Sequence, residues 1–113
     1  MNEKIRHVKG RLRMLDPFLD LVVDGKKTST IRHGKIEVVG DALDLVSAIR
    51  TVRVQVTAVE NEKMFRDLGE EDAARDGFAS LDQLQRQLVK FYPEITPDDH
   101  ITIIRFAVQK ERR

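Results

Sequence analysis

Gly25-Lys26-Lys27-Thr28-Ser29-Thr30-Ile31-Arg32 packs three cations and three hydroxyls into eight residues. Just before it, Asp16 and Pro17 read as a helix N-cap and a proline at the first helical position. Phe18, Leu19, Val22 and Val23 supply an apolar face, and Gly25 supplies the left-handed stop. A short helix over 17–24 follows, leaving its last carbonyls beside Lys26 and Lys27. Residues 28–32 are rich in β-branched side chains and broken by His33-Gly34, so they form a strand with Thr28, Thr30 and Arg32 on one face. If Ile31 points to the core, Thr30 and Arg32 point away from it. Lys27 and Thr30 have opposite parity in an ideal strand and converge only if Lys27 still belongs to the turn.

Upstream, residues 4–14 alternate apolar and basic side chains and predict one or two short strands interrupted at Gly10. Downstream, residues 36–39 read as either a strand or an irregular extended loop between Gly34 and Gly40-Asp41, and a strand runs over 43–48. Val52, Val54, Val56 and Ala58 alternate with Arg53, Gln55 and Thr57, a strand with one buried and one wet face. A helical turn is expected near 63–65, and a short acidic helix over 70–75 is stopped by Gly77, with Phe78 as its accompanying apolar contact. Ser80 with Gln83 is a capping box opening a helix whose Leu81, Leu84, Leu88 and Phe91 form one stripe, and Pro93 ends it. Residues 95–100 read as a loop. The last strand, over 102–108, is apolar on both faces near its start and belongs inside a sheet. The polar tail 109–113 is expected to fray. Five or six strands with two or three helices, and no regular alternation of strand and helix, favour an α+β fold built on a small mixed β-barrel.

The chain has 113 residues, enough for one domain spanning 1–113 with a modest core. Its apolar runs are too short for a transmembrane span, so no membrane partner is expected. No signal peptide is expected, and the absence of cysteine removes disulfides, thiolate catalysis and cysteine-type zinc sites. The expected location is the cytoplasm. A formal charge of +1 excludes nucleic-acid binding by bulk attraction, so any such binding is local. Lys4, Arg6, Lys9, Arg11, Arg13, Lys26, Lys27, Arg32 and Lys35 do crowd the first third of the chain, balanced by acidic residues over 60–99. His7, His33 and His100 show no metal-ligand spacing, so no metal and no cofactor is expected. Five phenylalanines and one tyrosine are too few for an extended aromatic stacking platform.

Gly25-x-Lys27-x-x-Thr30-x-Arg32 after a short amphipathic helix resembles the signature of the ASCH domain family within the PUA-like superfamily. Gly40-Asp41 before a strand, an acidic helix ending at Gly77-Phe78, a helix ending in Tyr92-Pro93 and a terminal strand continue the resemblance across nearly the whole chain. It implies a PUA-like mixed β-barrel with a cleft beside the Lys-Thr-Arg segment, and a role in binding RNA or modified nucleobases. The ligand-facing residues would be Lys26, Lys27, Thr30, Arg32 and His33. Some small bacterial members are amidohydrolases that remove the acetyl group from acetylcytidine. By that resemblance Thr30 is the nucleophile, Lys27 its base and Asp76 the third partner, with Asp76 standing where the hydrolases carry the longer glutamate.

Each of these residues also has a plainer use. Lys26 and Lys27 suit the negative end of the preceding helix. Thr30 suits a solvated strand face. Arg32 suits either an ion pair with Asp76 or Glu70, or a phosphate or base edge held by its planar fork. A threonine hydroxyl requires a base, and a lysine serves as one only if its pKa falls from about 10.4 towards neutrality. Lys26, Arg32 and burial push it down, and an adjacent Asp76 pushes it up. A third role, as an interaction domain for another protein, finds no large apolar stripe in the sequence.

Overall fold

The computed structural model describes residues 4–109, and the tail segment 110–113 lies outside them. Five strands, β1 (Ile5–Arg13), β2 (Ser29–His33), β3 (Lys35–Val46), β4 (Thr51–Glu60) and β5 (Ile101–Val108), form one sheet in the order β1-β3-β4-β5-β2. With helices α1 (Asp16–Val23), α2 (Glu70–Arg75) and α3 (Leu81–Phe91), the architecture is α+β. The expected barrel is a curled half-barrel: β1 and β2 are its free edges and do not join in a ladder. Side chains cross the gap instead. An Arg6 guanidinium nitrogen donates to the His33 carbonyl at 2.7 Å, and one from Arg32 donates to the Arg13 carbonyl at 2.7 Å.

The element boundaries correct several expectations. Residues 36–39 and 43–46 belong to the single strand β3, which pairs in parallel with β1 and antiparallel with β4. β1 is likewise continuous, its register shifting between Lys9 and Arg11 rather than breaking at Gly10. The turn expected at 63–65 is a 3-10 turn at Phe65–Asp67. Asp16 does not cap α1; Leu15 holds the cap position, and Pro17 lies in the first turn. The Asp16 carboxylate instead accepts from Ser47 Oγ at 2.8 Å and Arg50 Nε at 2.9 Å, because the 47–50 loop brings a guanidinium to the helix start. Of the carbonyls expected to be left beside the lysines, those of Asp20, Leu21 and Val22 are recaptured by backbone amides. Gly25 adopts φ +78°, which lets the amides of Lys26 and Lys27 both return to the Leu21 carbonyl, at 2.9 and 3.1 Å.

β5 organises the interior. Ile104 and Phe106 face one apolar cluster with Leu12, Leu19, Leu43, Leu45 and Val54, whereas Ile101 and Ile103 face a second with Ile31, Leu68, Leu84 and Leu88. A strand with apolar residues on both faces thus lies inside the sheet, between β4 and β2. α3 covers the second cluster as its stripe predicts, and Ser80 Oγ accepts from the Gln83 amide at 3.2 Å. Gln83 Oε1 returns to the Ala79 amide rather than that of Ser80, so the box closes one residue early. The turn between β2 and β3 is held by Thr102. Its fully buried hydroxyl donates to the Gly34 carbonyl at 2.7 Å and accepts from the Ile36 amide at 2.9 Å.

Thr102→Val preserves shape and removes both bonds, leaving a backbone donor and acceptor without their partner. The expected loss is about 1–3 kcal/mol per buried orphan in urea unfolding, well beyond the ±0.5 kcal/mol of a surface change. A change within that surface range would show the clasp to be dispensable.

Candidate functional site

The site begins with the stop after α1. Because β2 starts at Ser29, Lys27 lies in the preceding turn and escapes strand parity, the condition under which it and Thr30 address one space. The turn is pinned to α2 by the Thr28 amide, which donates to the Arg75 carbonyl at 2.7 Å. Gly77 allows the contact. It has φ +89°, and a Cβ there would meet Leu21 Cδ1 at 3.2 Å and Lys27 Cβ at 3.4 Å. Its conformation ends α2 with the Phe78 amide bonded to the Ala73 carbonyl at 2.9 Å, aiming Asp76 at the turn.

Lys27 and Asp76 are 4% and 5% exposed. The ammonium donates to Asp76 Oδ1 at 2.5 Å and to the Asp76 carbonyl at 3.2 Å, and lies 5.6 Å from the centre of the Phe18 ring. The shorter aspartate therefore reaches its lysine. Burial pushes the Asp76 carboxyl up to about 6, against the opposing pull of Lys27 and Arg32. Burial likewise draws Lys27 below its ordinary value, with Asp76 resisting and Arg32 adding like-charge repulsion. Thr30 is buried, and its Oγ1 accepts from Arg32 Nε at 3.2 Å. Arg32 forms an ion pair with neither Asp76 nor Glu70. Its fork bridges Thr30 and the Arg13 carbonyl instead.

Lys27, Thr30, Arg32 and Asp76 all line one cavity of about 480 Å³. The residues predicted for the site divide here. Lys26 is exposed and does not line the cavity. Consecutive residues leave a turn in different directions, and Lys27, between the exposed Lys26 and Thr28, is the one directed inward. His33 lies behind the wall: its Nε2 is 2.9 Å from Asp99 Oδ2 and its ring centre is 5.3 Å from that of Tyr92, which does line the cavity. Asp99 is held below the usual carboxylate range by hydrogen bonds from the Thr96 backbone first and His33 second.

The few aromatic residues are gathered rather than scattered. Four of the six aromatic residues, Phe18, Phe78, Phe91 and Tyr92, line this cavity. Phe18 lies 6.2 Å from Phe78 and 6.3 Å from Phe91, edge-on to the latter, and Phe91 lies 6.3 Å from Tyr92. The six are few, but the fold collects most of them at one place. Phe91 was legible only as the end of the α3 stripe; it is 45% exposed and turned to the cavity mouth. Among the described residues no cluster of His, Asp and Glu could hold a metal ion, and no helix is long and apolar enough to cross a membrane.

A carboxyl whose folded pKa exceeds its unfolded value binds a proton in the folded state first. Its stabilising contribution is full below about 4, near the ordinary value of 3.8, and is lost as pH rises through about 6. Asp76→Asn should flatten that part of the stability profile. At neutral pH it leaves the Lys27 ammonium buried without its counter-ion, and the expected cost is about 3–5 kcal/mol. Adding Lys27→Met should recover much of the loss. A double variant as unstable as the single one would contradict the pairing.

No protein-family model matches the sequence, and no curated protein matches it. Solved structures do. An ASCH domain from Lactobacillus crispatus superposes with a TM-score of 0.76 at 16% identity, over 88% of this chain and 79% of that one. A protein of Enterococcus faecalis described under DUF984 gives 0.70 at 19% identity, over 84% of this chain and 68% of that one. A variant of the ASCH protein of Zymomonas mobilis gives 0.63 at 17% identity, over 88% of this chain and 68% of that one. At these identities the likeness is one of architecture, and it agrees with the motif order: the chain has the ASCH-domain fold.

Proposed function

We propose that this chain is a cytoplasmic binding module that takes a nucleobase, from RNA or a modified nucleoside, into the cavity behind Arg32. The observation that carries this reading is the meeting of Lys27, Thr30, Arg32 and Asp76 with Phe18, Phe78, Phe91 and Tyr92 around one cavity of about 480 Å³. That volume falls within the roughly 300–1,000 Å³ of small-ligand sites, which pair an apolar lining with a few convergent polar groups. Base-on-aromatic stacking contributes about 1–3 kcal/mol. The Arg32 fork and the Lys27–Asp76 pair supply donors and acceptors for the base edge.

A second reading, amidohydrolysis of acetylcytidine or a related N-acylated nucleoside, is favoured by a Lys27 drawn below its ordinary pKa by burial and a buried threonine lining the same cavity. In that reaction Lys27 first gives up its ammonium proton to solvent, and Thr30 Oγ1 then attacks the acyl carbonyl while its own proton passes to the Lys27 amine. The tetrahedral oxyanion collapses, the C–N bond breaks, and the exocyclic amine leaves with the proton returned from Lys27. Water then hydrolyses the acetyl ester on Thr30, releasing acetate. Arg32, donating to Thr30 Oγ1, favours the developing negative charge there.

One titration separates the readings. Calorimetry with cytidine and acetylcytidine should give saturable binding that weakens about tenfold or more in Arg32→Gln, the cost of one hydrogen bond to a charged group. Absence of saturation by either nucleoside overturns the binding reading. Chromatography of the acetylcytidine sample tests the enzyme: cytidine and acetate formed by the parent protein and abolished by Thr30→Ala support it. Product that persists in Thr30→Ala removes Thr30 from the chemistry.

A further inference from the structure

We infer that Gln87 of α3 reads the ligand in the cavity, by pairing its side-chain amide with a ring edge that carries a hydrogen-bond donor beside an acceptor. This rests on the nucleobase reading of the cavity and deepens it from a ring to an edge. The first observation is position. Leu84, Gln87, Leu88 and Phe91 all line the cavity, and their spacing of three and four residues puts them on one face of α3. That face runs from Phe91 at the mouth, 45% exposed, to Leu84 and Leu88, both buried. Gln87 is half-buried, one turn from Phe91, and is the one polar side chain of the four.

The second observation is that the amide is unspent. Around the same cavity Lys27 bonds Asp76, Thr30 bonds Arg32 and Ser47 bonds Asp16. Among the described residues, nothing hydrogen-bonds the Gln87 side chain. The Arg13 guanidinium and the Tyr92 hydroxyl also line the cavity without a hydrogen bond, but one offers donors alone and the other a single oxygen. A glutamine amide sets a donor and an acceptor side by side in one plane. A cytosine edge complements it, much as glutamine pairs with the amino group and ring nitrogen of adenine: the exocyclic amine donates to Oε1 and the adjacent ring nitrogen N3 accepts from Nε2. Acetylcytidine keeps one hydrogen on that amine, so the same pairing serves the hydrolytic reading. A ligand without such an edge leaves the amide desolvated and unpaired, which costs free energy and rejects it. Because the amide can turn over, it selects for a donor adjacent to an acceptor rather than for one base.

The test is calorimetric titration of the parent protein, Gln87→Leu and Gln87→Glu with cytidine and with 3-deazacytidine, in which a C–H replaces N3. The parent should bind cytidine about tenfold tighter than 3-deazacytidine, the cost of leaving one donor unpaired. In Gln87→Leu, which has no polar atom, that ratio should fall to about one. Gln87→Glu keeps an acceptor for the amine but turns a carboxylate oxygen towards N3, so its ratio should fall to about one or below. The ratio compares two ligands on one protein, and a general loosening of the fold cancels from it. Equal affinities in the parent overturn the inference, as does a tenfold preference that survives either substitution. Equal weakening of both nucleosides in Gln87→Leu, with the ratio intact, assigns Gln87 to packing and also overturns it. Failure of the cavity reading is distinct: neither nucleoside then saturates the parent protein, and the inference falls with it.

Discussion

A lysine and an aspartate buried side by side, Lys27 and Asp76, constrain the rest of this molecule. Removing two charges from water costs several kcal/mol per ion, and the pair persists only if the geometry is good and each group is further satisfied. Much of the local backbone meets that demand. Gly25 turns the chain so that Lys27 precedes β2, Gly77 lets α2 approach within a Cβ of that turn, and the Thr28–Arg75 bond locks the two segments together. The pair forms part of the cavity wall, so the same interaction that ties α2 to the turn before β2 also contributes polar groups to the cavity.

The open side of the half-barrel is the second constraint. Two edge strands left without a common ladder would expose a row of unpaired backbone groups, and here arginines reach across. Arg32 has two duties, since its fork joins Thr30 to the end of β1. Stability and site geometry are consequently coupled at this residue. A change in Arg32 alters both how the sheet edge is held and what the cavity presents.

Much of this was legible in the sequence because local chemistry decided it. The glycine stops at Gly25 and Gly77, the Ser80 cap, the α3 stripe and the two-faced final strand each follow from residues close together in the chain, and the ordered motifs pointed to the fold. What was hidden depends on long-range closure. Asp16 has the composition of a cap, but Arg50, distant in sequence, recruits its carboxylate. The parallel pairing of β1 with β3 leaves no mark on either strand's alternation. Phe18, Phe78, Phe91 and Tyr92 come from separate stretches, so composition counted them as scarce while the fold gathers them. Lys26 and Lys27 are chemically alike, and only the turn geometry distinguishes the exposed cation from the buried one.

The most direct measurement is the titration of the Asp76 carboxyl carbon followed by NMR in the folded protein. Burial of the pair predicts a midpoint of about 6, moving higher still in Lys27→Met, where the lysine's opposing pull is gone. A midpoint in the ordinary carboxylate range near 3.8, insensitive to Lys27, would contradict the account.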